Sequence, residues 1–363
     1  MRSSRLLLVA LLVSAPAVAD WPSFRGDSSL SGVASEALEP PLELAWTFAI
    51  DEGSESSVAI ADGRVFVAGL DGALRALTLE SGEQIWSYQA EDEIKSSPSV
   101  FGETVYIGDE AGTFHAVDVR SGEARWTFAT DGGIISSANR HGDLVLFGSY
   151  DQFLYALRAE TGALAWKVET DAYVHATPAV ADGLAWVAGC DSYLRGVRVT
   201  DGEESAQIPL DGYVAASSAI RNGKAFVGSF ENEVLAIDLA AGEVLWRYSH
   251  PTRNFPFYSS PAATDDVVVI GGRDKFIHAI DPASGESRWL FETRARVDAS
   301  PVVSGDLVFV ADRSGDLRSL DLASGEQRWL YETGEPIAGS PAISDGRLVV
   351  ATLDGTVLAF ARR

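Results

Sequence analysis

The sequence predicts an all-β protein, a single eight-bladed β-propeller whose blades are four-stranded antiparallel sheets. Three observations support this fold class. The same unit recurs eight times at a period of about 40 residues, which is the signature of a repeat architecture. Each unit contains four short runs of β-branched and aromatic residues bounded by Gly, Asp or Ser, as expected for strands joined by tight turns. The two ends of the chain are complementary, because the last unit lacks a fourth strand and the start of the repeat region supplies one.

The first 19 residues are expected to be a cleavable signal peptide. Arg2 and Arg5 precede an apolar run over 6–13, and the small residues Ala17-Val18-Ala19 stand before Asp20. The apolar run is too short to span a bilayer. This segment predicts a periplasmic or secreted protein that does not span the membrane. No cysteine follows the cleavage site that could carry a lipid anchor, and we expect a monomer.

The rest of the chain divides into an extended N-terminal leader, residues 20–43, and the propeller, residues 44–363. The second repeat illustrates the predicted strands, at 96–100, 104–108, 113–118 and 124–128. Residues 44–50 have the pattern of a fourth strand without the first three. We therefore expect the N-terminal strand to complete the C-terminal blade and close the ring, which leaves no free sheet edge at the join.

Two positions of the repeat are explained by the wedge shape of a blade. Near the axis the blades converge and only small side chains fit, whereas far from the axis a large residue must fill the widening gap. The inner position is a small hydroxyl in every repeat: Ser57, Ser97, Ser137, Thr177, Ser217, Ser260, Ser300 and Ser340. The outer position is tryptophan except at Ala206: Trp46, Trp86, Trp126, Trp166, Trp246, Trp289 and Trp329. Because both recur in nearly every blade, we interpret them as structural.

The turn before each tryptophan position also has a repeated composition. A glycine is present in each of these turns, and we expect it to supply a positive φ: Gly82, Gly122, Gly162, Gly202, Gly242, Gly285 and Gly325. Aspartates four residues upstream of it are expected to accept hydrogen bonds from backbone amides of the turn: Asp118, Asp238, Asp281 and Asp321. His115 and His278 share another position with Arg, Tyr and Leu, which indicates a partly exposed strand position and not a metal site.

Composition excludes several classes of partner. The formal net charge is −24, which disfavours nucleic acid and anionic lipid as partners. Cys190 is the only cysteine, so no internal disulfide can form and the core alone must stabilise the exported chain.

The pattern Ala-x-Asp-x-x-Ser/Thr-Gly-x-x-x-Trp, seen at 116–126 and 279–289, resembles the repeat of the pyrroloquinoline-quinone-like (PQQ-like) propellers. The segment Asp20-Trp21-Pro22-Ser23-Phe24-Arg25-Gly26 is similar to the leader of bacterial proteins in that group. One branch of the group consists of quinoprotein dehydrogenases, which hold PQQ and calcium on the axis and have long loops and a pair of adjacent cysteines. The other branch is the outer-membrane assembly factor BamB and its relatives, which are eight-bladed scaffolds without a cofactor. The compact repeats and single cysteine are more similar to the second branch.

Functional residues are expected where the repeats differ from one another. The loops between strands two and three and the loops between blades should open on the same face, here called the loop face. The position just after strand two reads Leu70, Glu110, Tyr150, Cys190, Phe230, Arg273, Arg313 and Leu353. The position two residues before the inner hydroxyl reads Glu55, Lys95, Ile135, His175, Ala215, Tyr258, Asp298 and Ala338. Structure alone does not require such variety, so this face is the candidate site.

The most distinctive sector surrounds a three-residue insertion between Trp246 and Trp289. Aromatic and cationic residues gather there, which is the composition of protein-interface hot spots. The predicted partner-binding residues are Arg253, Phe255, Phe257, Tyr258, Arg273, Lys275, Arg294, Arg296 and Arg313. The alternative is that Phe255 or Phe257 fills the gap made by the insertion while the arginines pair with local acids.

The sequence therefore leaves three functions open, and no catalytic motif decides between them. The leading hypothesis is a periplasmic scaffold without cofactor or metal that binds protein or peptide partners in the cell envelope, as in outer-membrane protein assembly. The alternative is a PQQ-dependent dehydrogenase or a cofactor-binding sensor, in which Glu55, Lys95, His175, Tyr258 and Asp298 converge on the axial mouth and calcium assists the quinone. The third is binding of cell-wall polysaccharide by exposed aromatic side chains.

Overall fold

The computed structural model describes residues 20–214 and 216–362, and these residues form 32 β-strands in eight separate four-stranded antiparallel sheets. None of these residues is helical, so the described part of the chain has no helix that could cross a bilayer. The predicted fold class, an eight-bladed propeller, is confirmed. The predicted signal peptide, Ala215 and Arg363 lie outside the described residues.

The strands follow one another in chain order without other elements between them. The first sixteen are β1 (Leu42–Ala49), β2 (Ala59–Ala61), β3 (Arg64–Ala68), β4 (Ala73–Thr78), β5 (Gln84–Gln89), β6 (Ser99–Phe101), β7 (Thr104–Gly108), β8 (Thr113–Asp118), β9 (Ala124–Ala129), β10 (Asn139–His141), β11 (Leu144–Gly148), β12 (Phe153–Arg158), β13 (Leu164–Glu169), β14 (Ala179–Ala181), β15 (Leu184–Ala188) and β16 (Tyr193–Arg198). The other sixteen are β17 (Glu204–Pro209), β18 (Ala219–Arg221), β19 (Lys224–Gly228), β20 (Val234–Asp238), β21 (Glu243–Tyr248), β22 (Ala262–Ala263), β23 (Val268–Gly271), β24 (Phe276–Ile280), β25 (Ser287–Glu292), β26 (Val302–Ser304), β27 (Leu307–Ala311), β28 (Asp316–Asp321), β29 (Gln327–Glu332), β30 (Ala342–Ser344), β31 (Arg347–Ala351) and β32 (Thr356–Arg362). Blade one is β2 to β5, blades two to seven each take the next four strands, and blade eight consists of β30 to β32 with β1.

The ring is closed by the N-terminal strand, as predicted. In blade eight the strand order is β1-β32-β31-β30, and β1 pairs antiparallel with β32 from Leu42 opposite Arg362 to Ala49 opposite Thr356. Strand β1 begins two residues earlier than the predicted start at Leu44. The N-terminal strand and the C-terminal strands are thus hydrogen-bonded within one sheet.

The inner hydroxyls form a closed ring of hydrogen bonds around the axis. The backbone N–H before each strand one donates to the hydroxyl of the next blade, for example Ser57 N to Ser97 Oγ at 3.0 Å, and Ser340 N returns to Ser57 Oγ at 2.9 Å. The same contact joins the other blades at 2.9–3.1 Å. Strand β6 therefore begins at Ser99 and not at the predicted Ser96, because Ser97 N is bonded to the next blade and Pro98 has no N–H.

Each outer tryptophan connects its blade to the next one. Trp126 Nε1, for example, donates to Ala159 O at 3.1 Å, and its ring lies against Gly162, where an added Cβ would come within 2.5 Å of the ring. The turn glycines have φ from +71° to +76°, as predicted. The predicted aspartate caps are confirmed too, since Asp118 accepts from the backbone N–H groups of Arg120 and Ser121 at 2.9 and 3.0 Å.

The position shared by His115 and His278 is buried, so the prediction of partial exposure is wrong. Both ring nitrogens of His115 have partners: Nε2 lies 3.0 Å from Asp109 Oδ2 and Nδ1 lies 2.9 Å from Tyr88 Oη. His278 has the corresponding contacts with Asp274 and Tyr248. A polar side chain is tolerated in this buried position because a loop carboxylate and a fourth-strand tyrosine satisfy it.

Residues 20–38 follow the inside of the ring at the end of the axis away from the loop face. Backbone carbonyls of Pro22, Ser28, Ser29 and Ser31 accept hydrogen bonds from first-strand amides of blades two, four, five and six in turn. The fully buried Arg25 reaches across to Pro261 O at 3.0 Å, and burial lowers the pKa of Arg25 to about 9. The leader thereby covers one end of the axial channel.

Candidate functional site

A cavity of about 430 Å³ occupies the axis of the ring. The inner hydroxyls line it, Phe24 of the leader contributes to its lining, and residues of the loop face form its mouth. The four predicted axial-mouth residues all line this cavity: Glu55, Lys95, His175 and Asp298. Tyr258, Arg273 and Arg313, which were predicted to bind a partner, line it as well. The structure thus brings the two variable positions of the repeat together, while the role of these residues stays a prediction.

The lining hydroxyls present a ring of hydrogen-bonding groups to the cavity. Each oxygen already accepts one backbone N–H from the neighbouring blade. Within residues 20–214 and 216–362, none of the hydroxyls of this ring donates a hydrogen bond to a protein acceptor. Their O–H groups are therefore available to a molecule inside the cavity.

Asp298 is a buried carboxylate held by three arginines. It accepts from Arg273 Nε and Arg313 Nε at 2.8 Å each, and from Arg296 Nε at 3.1 Å. Burial acts to raise the pKa of Asp298, but the hydrogen bonds and charges of Arg273 and Arg313 outweigh it and hold the pKa below its usual value. The Arg273 guanidinium also lies 4.3 Å from the centre of the Tyr258 ring. Arg273 and Arg313, which line the cavity, are consequently fixed in its wall.

Lys95, which also lines the cavity, is ion-paired as well. Its Nζ lies 3.0 Å from Glu110 Oε1 and 3.3 Å from Glu93 Oε2. Burial acts to lower the pKa of Lys95, but these two acids outweigh it and raise the pKa. Glu55 is exposed and makes no ion pair with any residue that the structure describes. The cavity wall therefore carries paired cations and one unpaired carboxylate.

His175 separates the axial cavity from a second hollow on the loop face. Its Nδ1 lies 2.7 Å from Tyr150 Oη and its Nε2 lies 3.5 Å from Tyr258 Oη. Burial lowers the pKa of His175, and burial raises the pKa of Tyr150 to about 12. A neutral imidazole between two neutral phenols therefore fixes the orientation of both tyrosine rings.

The second hollow, here called the aromatic cradle, has a volume of about 410 Å³ and is lined mainly by rings. Its lining residues are Tyr150, Tyr173, His175, Cys190, Tyr213, Val214, Phe230 and Tyr258. Tyr150 and Tyr173 are stacked, with ring centres 5.0 Å apart and an angle of 13° between the planes. Tyr173 and Tyr213 are 52% and 59% exposed. Burial and the charge of Asp191 raise the pKa of the Cys190 thiol.

Sequence reasoning missed Tyr173 and Tyr213. Both occupy the position four residues before the inner hydroxyl, which in the other repeats is Gly53, Glu93, Gly133, Pro256, Arg296 and Pro336. Two tyrosines in consecutive repeats were a readable signal. Tyr150, Cys190 and Phe230 belong to a variable position that the sequence did indicate, but nothing in the sequence showed that these five side chains meet.

The sector around the insertion combines exposed and buried residues. Phe255 is 50% exposed, whereas Phe257 is only 1% exposed and is not at the surface, because its ring packs against His278 at 4.9 Å and fills the space that the insertion makes. Arg253 stacks on Phe276 at 4.6 Å and pairs with Glu292 at 3.1 Å. Arg294 pairs with Glu332 and Asp316.

Lys275 is exposed in the same sector and has no ion-pair partner among the residues that are described. Hydrogen bonds join the loops that carry Arg253, Phe255, Lys275 and Arg294: Arg273 N donates to Pro256 O at 3.1 Å, Arg253 Nη1 to Asp274 O at 2.8 Å and Thr293 N to Lys275 O at 2.8 Å. None of the four residues is in the lining of the axial cavity.

The donor set does not fit PQQ with calcium. Calcium requires six to eight oxygen ligands, usually including several carboxylates, and the cavity wall offers only Glu55 and Asp298, the latter already held by three arginines. No group of three His, Cys, Asp or Glu side chains suited to a metal occurs in the described part of the chain. Cys190 is the only cysteine, so the adjacent pair of the dehydrogenases cannot form.

The closed eight-bladed ring, with its repeated Trp–Gly contacts, defines a PQQ-like β-propeller protein. The family model described as "Outer membrane protein assembly factor BamB" matches residues 37–140, 128–257 and 273–363. These matches extend over most of the chain, and the chain belongs to the BamB family.

Solved structures show the same fold. BamB from Moraxella catarrhalis is 19% identical, with 89% of this chain and 98% of that chain covered and a TM-score of 0.77. The quinohemoprotein alcohol dehydrogenase ADHIIG from Pseudomonas putida HK5 is 14% identical, with 94% and 80% covered and a TM-score of 0.81. At these identities the likeness establishes the fold and not the activity. None of the curated proteins matches the sequence significantly.

Proposed function

We propose that this protein is a non-enzymatic scaffold of the cell envelope that binds a protein or peptide partner through the loop face. The observation that carries the proposal is the cluster of Arg253, Phe255, Lys275 and Arg294 beside the insertion, here called the insertion patch. Neighbouring loops there carry a half-exposed aromatic ring, two guanidinium groups and an ammonium group. Membership of the BamB family supports the same class of function.

The ion pairs of the insertion patch are compatible with binding. Arg294 keeps 62% of its side chain exposed although it pairs with Glu332 and Asp316. Such pairs hold a guanidinium in place and leave N–H groups free for a partner, so less side-chain entropy is lost on binding. Arginine and aromatic side chains are enriched at the residues that dominate interface energies.

The assembly of outer-membrane proteins is the process in which we place this scaffold. This rests on the BamB family and on the signal peptide predicted at residues 1–19, which would deliver the chain to the periplasm. The net charge of −24 makes an anionic lipid surface an unfavourable partner, whereas the cationic insertion patch suits an acidic or carbonyl-rich protein surface.

A pull-down from an envelope extract tests the proposal. The double variant Phe255→Ala/Arg294→Glu removes the exposed ring and reverses one charge of the insertion patch. We expect it to lose the partners that the wild-type protein retains. Tyr173→Ala, an equally exposed aromatic on the same face but outside the patch, is the matched control and should retain them. If the double variant captures the same partners as wild type, the insertion patch is not the binding surface.

A further inference from the structure

We propose that the aromatic cradle and the axial cavity together form a binding site for an uncharged oligosaccharide of β-linked sugars. This site is separate from the insertion patch and does not depend on the scaffold function. A sugar ring has an apolar face of C–H groups and a polar edge of hydroxyls. A site for it needs flat aromatic rings next to a dense set of hydrogen-bonding groups, and the two hollows supply one each.

The aromatic cradle supplies the flat rings. Tyr173 covers Tyr150 in a nearly parallel stack, with ring centres 5.0 Å apart, and both Tyr173 and Tyr213 expose more than half of their surface. Phe230 meets Tyr258 edge to face, with ring centres 6.1 Å apart and an angle of 84°. Exposed aromatic surface in a concave site favours a ligand with an apolar face. In β-linked glucose-type sugars the hydroxyls are equatorial, so both ring faces present C–H groups.

The axial cavity supplies the polar groups. Its ring of serine and threonine hydroxyls has O–H donors available, as described above, and the Glu55 carboxylate offers acceptors on the wall. A sugar hydroxyl both donates and accepts, so it can pair with either kind of group. An apolar ligand would leave these groups without partners, which is costly in a confined site.

The charges of the cavity wall favour an uncharged ligand. Lys95 is paired with Glu110 and Glu93, and Arg273 and Arg313 are paired with Asp298. An anionic ligand would have to compete with these carboxylates and would face Glu55. A cationic ligand would face the same arginines and lysine. Neither charge is complementary to the wall, whereas a neutral polyhydroxylated ligand is.

The two hollows adjoin at Tyr150, His175 and Tyr258, which line both of them. The hydrogen bonds of His175 to the two phenols fix the rings at this junction. An oligosaccharide that crosses this junction would stack one sugar on the cradle and direct the next sugar towards the cavity. In this arrangement Tyr173 and Tyr213 stack on a sugar ring, while the inner hydroxyls and Glu55 form hydrogen bonds with the sugar hydroxyls.

Titration calorimetry with cellotetraose and with tetra-N-acetylchitotetraose, both uncharged, tests the site. We expect the wild-type protein to bind at least one of the two, with saturation-transfer NMR showing the strongest contact at the sugar C–H groups. Tyr173→Ala and Tyr213→Ala should each weaken binding by about three- to tenfold, from the energy of one aromatic contact. Both side chains are exposed, so thermal melting of the variants should match that of the wild-type protein.

Phe255→Ala is the matched control, because its ring is as exposed as that of Tyr173 but lies in the insertion patch; it should bind the saccharide normally. A neutral peptide with one phenylalanine, acetyl-Gly-Gly-Phe-Gly-Gly-amide, tests the competing occupant. Absence of binding to both saccharides, undiminished binding by both tyrosine variants, or binding of the peptide in place of the saccharides would each overturn the proposal. The partner pull-down depends on Phe255 and Arg294, so its failure is distinguishable from this one.

Discussion

At the scale of single residues, the loop face is organised by a few buried polar groups. Asp298 fixes three arginines and His175 fixes two tyrosines. The sequence indicated both residues, because each differs from its equivalents in the other repeats. It also indicated these arginines and tyrosines as variable residues, but not which residue each one contacts, since they come from different blades. The burial of Phe257 could not be predicted either. An aromatic residue in an inserted loop can lie at the surface or in the core, and the sequence does not show which residues pack against it.

The stability of the protein should depend on pH through His175. Burial lowers its pKa below the ordinary value of 6.5, so the unfolded chain takes up the proton first as the pH falls. The free energy of unfolding should therefore decrease as the pH drops below about 6.5 and stop decreasing below the pKa of the folded protein.

Urea unfolding between pH 8 and pH 5 measures this effect. His175→Gln should remove that part of the pH dependence, whereas His141→Gln, at an exposed position, should leave it unchanged. Identical pH profiles for wild type and His175→Gln would show that His175 is not held neutral by its surroundings.

At the scale of strands and turns, the contact between tryptophan and glycine joins neighbouring blades. The periodicity alone predicted nearly every strand, the positive φ of the turn glycines and the small inner hydroxyl. Steric reasoning gave the size of that hydroxyl but not its hydrogen bond to the next blade, because the bond is made between repeats and not within one. Blade four supplies a natural comparison, since Ala206 stands there in place of tryptophan.

Replacing a turn glycine with alanine should lower the free energy of unfolding more at a turn that a tryptophan contacts than at a turn without one. Gly162 has φ +71° and an added Cβ would lie 2.5 Å from Trp126, whereas Gly242 also has φ +71° but its nearest neighbour would be Ile208 at 4.0 Å. Both alanine variants bear the strain of the positive φ, about 1 kcal/mol. In Gly162→Ala, overpacking against the tryptophan should lower the free energy of unfolding by a further ~1–3 kcal/mol. Equal free energies of unfolding for the two variants would contradict the blade-to-blade contact.

At the scale of the whole molecule, two segments hold the ring of blades closed. Strand β1 completes blade eight, as the sequence predicted, and residues 20–38 bond to the first strands around the ring. The path of the leader was not predictable, because its residues follow no repeat and their partners are spread over all the blades. Because the leader covers the other end of the axis, the axial cavity opens on the loop face.

The leader should contribute strongly to stability. Trp21 is buried, and its backbone pairs with Ile60 at both N–H and C=O. Trp21→Ala should lower the free energy of unfolding by about 3–5 kcal/mol, the usual cost of removing a large buried aromatic. Denaturant unfolding measures this, with Phe255→Ala as an exposed aromatic control that should change little. A loss as small as that of the control would mean that the leader is not an integral part of the core.

We propose that partners of this BamB-family propeller bind on its loop face. Photo-crosslinking compares the two faces directly, with p-benzoylphenylalanine placed at Phe255 on the loop face or at His141, which is exposed where β10 ends on the opposite face. We predict that envelope extracts give defined crosslinked products from position 255 alone and that Arg294→Glu abolishes them. Crosslinked products from position 141 with none from position 255 would show that partners bind on the opposite face instead of the loop face.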